Sequence, residues 1–82
     1  MTLIAEDPIE RVIMGLSPFL GRSIAQASVR GHVTKLGIVG RPSDDELGNL
    51  LLALTPGLNV FLGRIKAGAV ISSLRKSLDL PG

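Results

Sequence analysis

The sequence predicts an all-α domain of about four helices, arranged as two similar short–long helix pairs that form an intertwined homodimer. Three observations carry this: a repeated pattern, capping punctuation and helical spacing of the apolar residues. The segments Asp7 to Leu20 and Asp45 to Leu58 share one grammar, about 38 positions apart. Aligned without gaps, Ile9 meets Leu47, Val12 meets Leu50, Ile13 meets Leu51, Met14 meets Leu52 and Leu16 meets Leu54. Ser17-Pro18 meets Thr55-Pro56, and further on Val33 meets Ile71 and Leu36 meets Leu74. The pseudo-repeats cover about 7–36 and 45–74 of a single domain, 1–82.

The elements follow in order. Asp7-Pro8 places an N-cap before a proline at the first helical position, opening a short helix over 7–15. Ser17-Pro18 repeats that signal and opens a longer helix over 18–36. Gly37-Ile38-Val39-Gly40-Arg41-Pro42 reads as the loop between halves. Ser43-Asp44-Asp45-Glu46 is a capping box that starts a short helix over 44–54. Thr55-Pro56 opens the last helix, over 56–78. The β-branched residues between Val29 and Val39 leave a strand as the alternative there.

Each long helix carries two apolar stripes. Leu58, Phe61, Leu62, Ile65 and Ala69 lie on one side, and Ile71, Leu74 and Leu78 on roughly the other. Leu20, Ile24 and Ala27, then Val29, Val33 and Leu36, repeat the layout. Either the helices break near Gly31 and Gly68, or both faces are buried. The second alternative favours a dimer in so small a chain. It makes Val33, Leu36, Ile71, Leu74 and Leu78 the candidate interface, which Leu74→Asp would disrupt.

Composition points the same way. A chain of 82 residues buries only about 60% of its unfolded surface. Hydrophobic residues make up 45%, the mean hydropathy is +0.41, and ten glycines work against isolated helices. There is no cysteine, hence no disulfide framework and no thiolate metal site. That fits a cytoplasmic protein. Met1 to Asp7 has neither a basic start nor a long apolar stretch, so no signal peptide is expected. The longest uncharged run, Leu47 to Gly63, falls short of the roughly 20 residues that span a bilayer.

Signs of catalysis are absent from the pattern. His32 is the single histidine and has no evident triad or metal partners. The acids Glu6, Asp7, Glu10 and Asp44, Asp45, Glu46 sit in first turns, where they complement the helix dipole. Gly37-Ile-Val-Gly-Arg before a helix start would cradle an anion only against the repulsion of the three carboxylates that follow. No cofactor or metal site is expected. The reading is a non-enzymatic protein that acts through homo-oligomerisation and contact with another protein.

The cations give the alternative. Arg22, Arg30, Lys35 and Arg41, and then Arg64, Lys66, Arg75 and Lys76, occur in stretches without an acid. If they share a surface, it suits duplex DNA phosphates or, as a third reading, an anionic membrane surface. Aromatic content of 2% argues against base stacking on single strands. The run from Ser28 to Ile38 resembles the recognition-helix region of LuxR-type DNA-binding domains, through Val29-Arg30-Gly31-His32-Val33 and Lys35-Leu36-Gly37-Ile38. Gly15-Leu16-Ser17 and Ile24-Ala25 have counterparts upstream. The resemblance implies DNA contact by this segment. It covers under half the chain, and the family has several more residues between its His-Val and Lys-Leu-Gly elements, so the helix that enters the groove would be cut short.

Overall fold

A computed structural model of the chain describes residues 7–80. Met1 to Glu6 therefore lie outside the described residues, and with them the targeting reading and the place of Glu6 in the first acidic cluster. Among the described residues there are four α-helices and no strand: α1 Pro8–Leu20, α2 Arg22–Leu36, α3 Asp44–Leu62 and α4 Arg64–Ser77. The helical alternative thus holds for Val29 and Val33, which lie within α2.

The helices change over at glycines, not at the Ser-Pro and Thr-Pro pairs. Gly21 has φ 85° and ψ 150°, and Gly63 has φ 84° and ψ 158°. This region is essentially closed to residues with a Cβ. The backbone bonds match as well. Gly21 N donates to the Ser17 carbonyl and Ala25 N to the Gly21 carbonyl; Gly63 N donates to Asn59 and Ala67 N to Gly63. Each glycine closes one helix and starts the next with no residue between.

Ser17-Pro18 and Thr55-Pro56 lie inside α1 and α3, which corrects the expected boundaries. Their hydroxyls do not cap. Ser17 Oγ donates to the Ile13 carbonyl at 2.7 Å, and Thr55 Oγ1 to the Leu51 carbonyl at 2.8 Å. An internal proline withholds a donor from the carbonyl four residues back, here Met14 and Leu52. Both of those residues are exposed, so water reaches that side of each helix. The alternative of breaks near Gly31 and Gly68 is not realised; α2 and α4 run through them.

Other punctuation stands as read. Asp7 Oδ1 accepts from Ile9 N at 3.0 Å. The capping box is complete: Glu46 N donates to Ser43 Oγ at 3.2 Å, and Ser43 N to Glu46 Oε1 at 2.9 Å. Ser43→Ala should cost about 1 kcal/mol, read as a lower urea midpoint with an unchanged slope. The loop after α2 is anchored at its first step. Gly37 is left-handed, and Ile38 N donates to the Val33 carbonyl and Gly37 N to that of Thr34. Ile38 itself is buried.

Packing is cyclic. α1 lies against α2, α2 against α3, α3 against α4 and α4 against α1; α1 also touches α3, whereas α2 and α4 do not meet. The core forms where α1 and α3 face each other. Val12, Ile13 and Leu16 are buried there, as are their aligned counterparts Leu50, Leu51 and Leu54. α2 contributes Ala25 and Val29, and α4 contributes Ala67, Val70 and Leu74. No polar or charged side chain is buried among the described residues, so the core rests on apolar burial alone. Small residues at 25 and 67, each one turn past a glycine break, let α2 and α4 pack closely on their neighbours.

Candidate interaction surfaces

The breaks at Gly21 and Gly63 redistribute the two apolar stripes. The second stripe turns inward. Leu74 is only 4% exposed, and Val33, Ile71 and Leu78 pack against the core as partly buried side chains. Of the five expected interface residues, Leu36 alone is exposed. The first stripe is split between helices: Leu58 is buried in α3, while Phe61 and Ile65 project into solvent on either side of Gly63.

An open concavity lies between α1 and α4. Arg11, Met14, Gly15 and Phe19 form one wall; Lys66, Ala69, Val70, Ser73, Leu74 and Ser77 form the other. It is an open groove of about 560 Å³. The helices run antiparallel, because Arg11 Nη1 donates to the Ser77 carbonyl at 2.7 Å while Gly15 faces Leu74 further along. Gly15 sets the depth of the groove. A Cβ there would lie 2.5 Å from Leu74 Cδ2, so the missing side chain lets Leu74 seat beneath the floor. The lining is mainly apolar, with cations at both ends and no acid.

A second exposed apolar surface runs along the outer side of α3. Asp45, Asn49, Leu52, Pro56 and Val60 fall within about 80° of the helix circumference, opposite the buried residues. Leu52 is 68% exposed and Val60 86%. The stripe is acidic at its start and uncharged beyond it. A smaller crevice of about 50 Å³ lies where Leu16, Leu20 and Ile24 meet Leu54, Leu58 and Phe61.

The expected cationic contacts are scattered over several elements. Arg22 Nη2 meets Glu10 Oε2 at 2.8 Å, and Arg30 Nη2 lies 4.0 Å from Glu10 Oε1. Glu10 thus faces two of the eight cations and ties α1 to α2. Such an exposed pair contributes at most about 1 kcal/mol. Lys66 reaches the α1–α4 groove; Arg41 lies near Asp44 in a polar hollow with Pro8 and Arg11. Lys35 borders a shallow depression on α2. Arg64, Arg75 and Lys76 belong to α4, the first in its opening turn and the others in its last. His32 Nδ1–H donates to the Ser28 carbonyl at 2.8 Å, which accounts for it as a hydrogen-bonded helix residue. Among the described residues, no group of three or more His, Asp or Glu gathers as a metal site, and no helix is long and apolar enough to cross a membrane.

Sequence reasoning missed Arg11, Gly15 and Met14 as groove residues. The available signal was a glycine in mid-helix on an otherwise apolar segment. Comparisons with protein-family models, curated proteins and solved structures find no match. The LuxR-like run straddles a helix end, since α2 stops at Leu36 within Lys35-Leu36-Gly37-Ile38.

Proposed function

We propose that the chain is a non-catalytic interaction module that associates with itself and docks a partner protein. One observation carries this reading: the folded chain leaves an apolar groove between α1 and α4 open to solvent, on a domain that has already buried its own core. Open apolar grooves flanked by polar residues are the usual seat of a helix from another chain. The matching glycine breaks support a duplicated helix–glycine–helix unit as its origin. The four-residue lag of Gly63 behind the Thr55-Pro56 alignment then reads as one added helical turn in α3.

Self-association replaces the intertwined arrangement expected from the stripes with contact between folded chains, since Leu74 and its neighbours already serve the fold. The test is light scattering of the eluting protein over a concentration series. The mass should exceed that of one 8.6 kDa chain and rise with concentration. A single chain mass throughout refutes self-association. Duplex DNA has less behind it, because Glu10 faces Arg22 and Arg30.

A further inference from the structure

We propose that the α1–α4 groove of one chain receives the outer face of α3 from a second copy, in a head-to-tail contact. This rests on the self-association proposed above and specifies its geometry. The two surfaces differ, so the contact is heterologous, with each chain offering one groove and one helix face.

The two surfaces complement each other in length, polarity and charge. From Lys66 to Ser77 the groove runs along about 16 Å of helix. From Leu52 to Val60 the exposed α3 stripe spans about 12 Å, so it fits within the length of the groove. Beyond Leu52 lie Asp44, Asp45 and Glu46, the acidic first turn of α3. Beyond Ser73 on α4, along the ladder Ala69–Ser73–Lys76, lies a basic last turn. Seating α3 antiparallel to the receiving α4 brings these opposite charges together and places Val60 toward Phe19. The parallel alternative also pairs the acids with a cation, Lys66, but leaves the basic last turn with Arg75 and Lys76 facing an uncharged end. A helix laid in a groove with its anchors at i, i+4 and i+8 uses Leu52, Pro56 and Val60. Pro56 is rigid, so seating it costs almost no side-chain entropy.

Mixing of variants tests the geometry. Leu52→Glu spoils the face and Ala69→Glu spoils the groove, and both positions are exposed, so the fold remains. Each variant alone should lose self-association at least about tenfold. Mixed in equal amounts, the two should form a species of two chains, because the intact groove of one accepts the intact face of the other. Val60→Glu and Ser73→Glu repeat the test at independent exposed positions, with far-UV circular dichroism confirming the fold of each. A mixture that stays monomeric, or a single variant that assembles like the unmodified chain, overturns the head-to-tail contact while leaving self-association standing. An unmodified chain that never associates overturns both.

Discussion

Leu74→Asp is expected to unfold the chain. Leu74 is 4% exposed, packs over Gly15 and belongs to the continuous core. Removing a buried leucine side chain costs about 2–5 kcal/mol. Introducing a carboxylate with no buried partner adds several more, since no buried polar group among the described residues waits to receive it. The whole stability of a domain this size is about 4–12 kcal/mol. The substitution should therefore abolish the cooperative thermal transition and most of the far-UV helical signal. Ile65→Asp is the control: at 92% exposed, it should leave both intact. The distinction matters because the apolar stripe through Leu74 looks like an interface until the chain is folded. A Leu74→Asp protein that stays helical and merely dissociates would return that stripe to the surface and contradict the packing.

Gly21, Gly63, Gly31 and Gly68 should divide into two classes of opposite sign. Gly21→Ala and Gly63→Ala are expected to destabilise by about 1–3 kcal/mol each, because φ near +85° with extended ψ is a glycine-only conformation. Beyond the chain neighbours, nothing lies within 4 Å of the added Cβ at either position, so the cost is backbone strain. For a domain of this length, that lowers the melting temperature by roughly 5–20 °C per substitution. Gly31→Ala and Gly68→Ala meet open space within continuous helices. Each should gain about 0.5–1 kcal/mol through helix propensity. Thermal melts of the four single variants decide it. Equal effects at all four positions would mean that the breaks at 21 and 63 are not where α1 meets α2 and α3 meets α4.

Those glycines also mark where the sequence was legible and where it was not. The class of structure and the α1 and α3 core positions were readable from periodicity, since Val12, Ile13 and Leu16 keep helical spacing on one face. The capping box at Ser43 was readable because two side chains and two backbone amides specify each other. The inner boundaries were misread at Ser17-Pro18 and Thr55-Pro56. A hydroxyl before a proline signals a helix start only if the chain is not already helical there. Here Ser17 and Thr55 turn back to carbonyls of the preceding turn, and the helix continues. Gly21 and Gly63 look like any other glycine until φ is known. The two opposed stripes then follow from reading α3 and α4 as one rod past Thr55, when the direction changes at Gly63. The groove was illegible for another reason. Its walls come from α1 and α4, at opposite ends of the chain, and only their antiparallel packing brings Met14 and Phe19 beside Ala69 and Ser73.

In the proposed assembly, folded chains meet through the open α1–α4 groove and the exposed face of α3. Methyl resonances followed on dilution test it most directly. Signals of Met14, Ala69, Leu52 and Val60 should move with protein concentration, while those of Ile13 and Leu50, in the core, stay fixed. A spectrum in which none of the four surface methyls responds from the most dilute to the most concentrated sample would contradict the account.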